Sequence, residues 1–110
     1  MEKELMVLRG EIKTPPLSHQ ARREIGRLIR ALQEGDSLSM PHSRPMPRIG
    51  ARCHELRVND ADTTWRVIYR IDRDAIVVAG LFEKKTRETP ARVMQDCRRR
   101  LRHYDETVGA

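Results

Sequence analysis

Residues 53–82, CHELRVNDADTTWRVIYRIDRDAIVVAGLF, decide the fold. Three runs, 53–58, 64–71 and 75–83, are separated by Asn59-Asp60 and by Asp72-Arg73-Asp74, residue types that favour turns. Short strands joined by short turns make an antiparallel meander. In the middle run Trp65, Val67, Tyr69 and Ile71 fall on one face and Thr64, Arg66, Ile68 and Arg70 on the other, because strand side chains alternate. One face is expected to pack and the other to carry charge. The first run repeats the pattern, with His54, Leu56 and Val58 opposite Cys53, Glu55 and Arg57. The third is nearly all apolar, as a strand covered on both sides requires.

Working outward, Leu5-Met6-Val7-Leu8 is long enough for a strand and too short for a helix, and Pro15-Pro16 follow it. From Ser18, the residues Ala21, Ile25, Leu28, Ile29 and Leu32 recur at helical spacing among Arg22, Arg23, Arg27 and Arg30. Ser18 is the expected N-cap and Gly35 the expected stop. Residues 36–50 hold Pro41, Pro45, Pro47 and Gly50 and read as a long irregular loop. Thr89-Pro90 predicts a second helix, Thr89 capping it and Pro90 in its first position. Val93, Met94, Cys97, Leu101 and Tyr104 mark its apolar stripe, Arg98, Arg99, Arg100 and Arg102 its basic side, and the tail after Asp105 is expected to fray. The result is an α+β chain with an antiparallel sheet between N-terminal and C-terminal helices.

At 110 residues the chain has room for one core and not two, so 1–110 is read as one domain. A hydrophobic share of 38% in regular runs predicts a folded chain. Cys53 and Cys97 have no further ligand at metal spacing, so they are expected to be reduced structural thiols, with no metal and no cofactor. No run approaches a membrane span, and Met1-Glu2-Lys3-Glu4 is charged where a secretory segment is apolar, so a cytoplasmic protein with no membrane partner is expected. A formal net charge of +6 and a pI near 10.0 favour polyanionic partners, nucleic acid or an acidic protein.

Arg57 and Arg66 flank the Asn59-Asp60 turn and should share a face, and Lys84-Lys85 close the next strand at the same end of the sheet. A phosphate group there would meet several fixed cations. The spacing fits equally well a solvated strand face with ordinary ion pairs to Glu55 and Glu83. Arg48, Arg70 and Arg87 are further candidates for RNA contact, and His42 in the proline loop is an accessory candidate.

Gly35, Pro41 and Gly50, then His54-Glu55-Leu56-Arg57, Trp65-Arg66-Val67-Ile68-Tyr69 and Leu81-Phe82-Glu83-Lys84-Lys85-Thr86 with Thr89-Pro90, stand in an order that resembles the HigB-like, phage-associated branch of the RelE/ParE toxin superfamily. The resemblance runs from the first helix almost to the end. It implies a RelE-like fold, a curved antiparallel sheet packed with helices. It further implies a type II toxin, an endoribonuclease acting on messenger RNA at the ribosome, held in check by a cognate antitoxin of helix-turn-helix type. Carried over residue by residue, the family's basic cleft falls on Arg57, Arg66, Lys84 and Lys85. Glu55 beside them is expected as an ion-pair partner in preference to a base.

Metal-free RNA cleavage uses the 2′-hydroxyl as internal nucleophile, so the protein must position the sugar, neutralise the phosphate and move protons. Arginine stays protonated and suits the clamp, which gives that role to Arg57 and Arg66; a lysine crowded by cations can exchange a proton, which gives that role to Lys84 or Lys85. Some relatives end the catalytic strand with His and Tyr, and this sequence has neither there. His54 lies on the strand face opposite Arg57, and Tyr104 of the His103-Tyr104 pair is already explained by the helix stripe. Two alternatives remain open. ParE-type members inhibit DNA gyrase by binding, and a non-catalytic phage or host protein could bind nucleic acid through its arginine-rich helices.

Overall fold

In a computed structural model of the chain, residues 2–8, 17–61, 63–84 and 87–108 are described, with only the main chain of Lys84. Lys85 therefore lies outside the described residues. The elements are β1 (Glu4–Val7), α1 (His19–Gln33), β2 (Ser43–Pro45), β3 (Cys53–Asp60), β4 (Thr63–Ile71), β5 (Ala75–Lys84) and α2 (Ala91–Thr107). They form an α+β fold around one open sheet of strand order β1-β5-β4-β3-β2.

The meander is as the alternation predicts, with the first turn displaced. β3 and β4 stay paired out to Asp60 and Thr63, so Asn59-Asp60 belong to the strand and the chain reverses beyond them. Arg57 stands directly opposite Arg66. β1 pairs with β5 in parallel, Glu4 with Ala75 through Val7 with Val78, so the sheet is antiparallel from β2 to β5 and mixed at its edge.

The two helices cover opposite faces. The α1 stripe, Ala21, Ile25, Leu28, Ile29 and Leu32, packs on Leu56, Trp65, Val67 and Tyr69. Each such aliphatic side chain contributes about 1.5–3 kcal/mol on burial. Ser18 caps α1 by accepting the Ala21 N–H at 3.0 Å. Asp60 accepts from the Ser18 hydroxyl at 2.7 Å and from Trp65 Nε1 at 3.0 Å, which ties the helix start to the end of β3. Gly35 ends the helix at φ +100°, where its N–H bonds the Leu32 carbonyl at 3.0 Å.

On the other face α2 sets Met94, Cys97 and Leu101 against Ile68, Val77 and Ala79. The register between β4 and β5 shifts between Ile68 and Tyr69, which skips Ala79. The Ala79 carbonyl instead accepts from Arg100 Nη1 at 2.8 Å and from the Cys97 thiol at 3.6 Å. Gly80 permits this approach, since a Cβ there would stand 3.0 Å from the Cys97 sulfur. Burial pushes the Cys97 thiol up to about 11, as expected of an inert core cysteine.

Three expectations are corrected. The face assigned to charge is covered by α2: Arg66 and Arg70 are buried, at 6% and 9% exposure. Residues 36–50 are not irregular throughout, because Ser43–Pro45 form a strand on β3, with Ser43 paired to Leu56 and its hydroxyl 2.6 Å from the Tyr69 hydroxyl. Pro45 is tolerated there because the strand is an edge. Finally, α2 starts at Ala91 without a side-chain cap and runs past Asp105 to Thr107. Thr89 is drawn away from capping by a buried carboxylate. Among the described residues no helix is long and apolar enough to cross a membrane.

Candidate functional site

The carboxylate is Glu55, on the α2 side of β3 with its side chain fully buried. A buried carboxylate persists only if its oxygens are answered. Oε1 accepts from Arg44 Nε and from Arg66 Nη1, each at 3.1 Å, and Oε2 accepts from the Thr89 hydroxyl at 2.6 Å. These donors come from β2, from β4 and from the approach to α2, so one side chain draws three parts of the chain together. This is the ion-pair role expected for Glu55. The hydroxyl of Thr89 does more at this oxygen than at a helix N-terminus that water can reach.

Arg66 is expected to clamp phosphate, yet its side chain is only 7% exposed. Burial lowers its pKa; Glu55 opposes that shift, and the nearby Arg57 and Arg44 add to it. Its Nε is buried without a hydrogen-bond partner among the described residues. Arg44 is far more open, at 36%, and Arg57, directly across from Arg66, is half-buried. Two guanidinium groups therefore share one carboxylate, and a third stands across the strand pair from Arg66. The main chain of Lys84 stands opposite Thr64, at the same end of the sheet as Arg57 and Arg66.

The other candidates separate. Arg70 lies four residues along β4, about 13 Å at the rise of a strand, and is spent on structure. It donates to both oxygens of Asp72 at 2.7 and 2.8 Å and to both oxygens of Asp105 at 3.1 and 2.7 Å. Four of its five N–H donors are thereby engaged, and these bonds raise its pKa. The guanidinium expected to touch RNA is thus taken up by two carboxylates of the chain itself. Arg48 is exposed and its carbonyl accepts from Arg98 of α2. Arg87 is exposed in the bend before Thr89, on the approach to the Glu55 cluster.

His42 does join the cluster's edge. The Arg57 N–H donates to the His42 carbonyl at 2.8 Å, which brings the proline loop to β3 just beyond the end of β2. His42, Arg57, Val58, Asn59, Pro41 and, from α1, Gln20 and Glu24 line an open cleft of about 490 Å³. His54 is no part of it: its ring stacks on Tyr69 with centroids 5.4 Å apart. Tyr69 is 1% exposed and Trp65 7%, so both serve the core and not a stacked base.

Sequence reasoning missed Arg44, Thr89 as the partner of Glu55, and the contribution of α1 to the cleft. Among the described residues no group of three or more His, Cys, Asp or Glu side chains is placed to share a metal ion.

A family model described as phage derived protein Gp49-like (DUF891) matches residues 15–102. No curated protein matches the chain. The matched span runs from the threshold of α1 through Arg102 of α2, and so contains Arg44, Glu55, Arg57, Arg66 and Thr89.

Proposed function

The chain belongs to the phage-derived Gp49-like family, and on that premise we propose that it is the toxin of a type II toxin–antitoxin pair, of the HigB-like kind. As such it cuts messenger RNA on the ribosome in the cytoplasm, and a small helix-turn-helix antitoxin restrains it. The observation that carries this proposal is that Arg44 and Arg66 share the carboxylate of Glu55 while Arg57 stands directly across from Arg66. A phosphodiester entering beside Arg57 would offset the like charge there, and hydrogen bonds from guanidinium to phosphate are among the stronger polar contacts.

The buried position of Arg66 changes its part. Arg57 and Arg44 are the phosphate clamps that solvent can reach, while Arg66 supplies fixed positive charge from beneath and holds Glu55. The lysine role at positions 84 and 85, in moving a proton, is retained from the sequence as part of this proposal. Stabilisation by charges already fixed in place is the largest single contribution such a site can make.

The test is inducible expression in bacteria of the wild type and of Arg57→Ala, following growth and mapping the 5′ ends of messenger RNA. Growth arrest with new cleavage ends, both lost in Arg57→Ala, is the expected result. Arrest without RNA cleavage and with accumulating DNA breaks would transfer the chain to the gyrase inhibitors. Unimpaired growth with folded protein at confirmed levels would leave a nucleic-acid-binding protein without catalysis.

A further inference from the structure

Transesterification by a 2′-hydroxyl needs one group that accepts a proton and one that donates it. The cations gathered here can donate or clamp, and an arginine cannot accept. Glu55 is buried and answered by three donors. Among the described residues, the place to look for a base within reach of Arg57 is the cleft that Arg57 shares with α1 and the proline loop. Of the described residues lining it, Gln20 and Asn59 are amides, Pro41 and Val58 are inert, and only Glu24 and His42 can take up a proton.

Glu24 is poorly suited. Arg27 donates to both of its oxygens, at 2.8 and 2.9 Å, and that pairing holds its carboxyl below the usual value. His42 is exposed, and the hydrogen bond from the Arg57 N–H to its carbonyl fixes its main chain to the strand that carries the clamp. An imidazole is the side chain whose ordinary pKa lets it be neutral yet basic near pH 7.

Resting on the ribonuclease function proposed above, we propose that His42 is the general base of this site, taking the 2′-hydroxyl proton of an RNA strand whose scissile phosphate is held by Arg57. The 2′-oxygen bonds to phosphorus as its proton passes to the imidazole. The bond from phosphorus to the 5′-oxygen breaks, and that oxygen takes a proton from an ammonium group, for which the lysines at 84 and 85 are the candidates. The products are a 2′,3′-cyclic phosphate and a 5′-hydroxyl, and the imidazolium returns its proton to water. The charged groups facing His42 are Glu24 from α1, with Arg27 bound to it, and Arg57 from β3.

The experiment is single-turnover cleavage of a labelled message on programmed ribosomes from pH 5.5 to 9, with wild type, His42→Gln and His42→Ala. For the wild type the rate is expected to climb with pH through a single inflection and then level off. His42→Gln should cut roughly 10²–10⁴-fold more slowly and lose that inflection, with unchanged thermal unfolding because the side chain is exposed. Added imidazole should restore part of the rate to His42→Ala and none to the wild type. A His42→Gln protein that cuts at the wild-type rate, or that changes only in KM, overturns the assignment while leaving the ribonuclease in place. A wild type that cuts no RNA overturns both.

Discussion

Arg66 and Arg70 occupy the same face of β4, four residues apart, and both are buried beneath the chain that leads into and through α2. Arg70 meets two carboxylates through four hydrogen bonds, and its pKa is raised. Arg66 shares one carboxylate with Arg44, faces Arg57, leaves Nε unanswered among the described residues, and has its pKa lowered by burial. One arginine is closed off and the other is kept short of partners. The fold answers a buried guanidinium more fully at one end of the strand than at the other, and the second end is where the proposed function places the phosphate.

The largest effect should come from removing the buried acid at the open end. Glu55→Ala leaves Arg66 buried without its carboxylate and should cost about 3–5 kcal/mol in urea unfolding; a loss below about 1 kcal/mol would mean that Arg66 swings out to water instead. Arg70→Met should cost about 2 kcal/mol, since it deletes charged hydrogen bonds but leaves acids near the surface, and RNA affinity measured on the same preparation should not change. Arg57→Ala should do the reverse. Its stability should stay within about 0.5 kcal/mol of wild type, while RNA affinity falls roughly tenfold and the salt dependence becomes shallower by about 0.7 in logarithmic slope. Equal effects of Arg57→Ala and Arg70→Met on RNA would erase the contrast.

The smallest effect concerns the closed end in acid. The hydrogen bond from Arg70 holds the Asp105 carboxyl below its usual value of 3.8. A depressed folded pKa contributes stability that is present above the unfolded value and lost as pH falls through the folded one. Acid unfolding of the wild type should therefore steepen below about pH 4. Asp105→Asn should start less stable and fall less over that interval. A wild type and variant with parallel acid curves would remove Asp105 from the account.

Much of this geometry was legible in the sequence. Alternation put Arg57 and Arg66 on one face, and the turn between their strands put them at one end. What alternation cannot state is whether a helix lies on that face, since it orders side chains within a strand and carries nothing about the next layer; hence Arg66 was read as exposed. Arg44 stayed hidden because Ser43-Arg44-Pro45 is too short to show a period, and its strand exists only through pairing with β3. Thr89 has the local signature of a cap, but the partner that outcompetes that role is Glu55, far off in sequence. The parallel direction of β1 is likewise a property of its distant partner and not of its own residues.

That distant partner also sets an order in time. β1 leaves a ribosome well before β5, and its place beside β5 does not exist until residues 75–78 have emerged and settled against β4. Pairings across such a separation close late, after the hairpins between neighbours. Thr89 emerges later still, and until it reaches Glu55 that carboxylate lacks one of its three donors. A chain assembled in this sequence carries its cations from early on but gathers them only at the end.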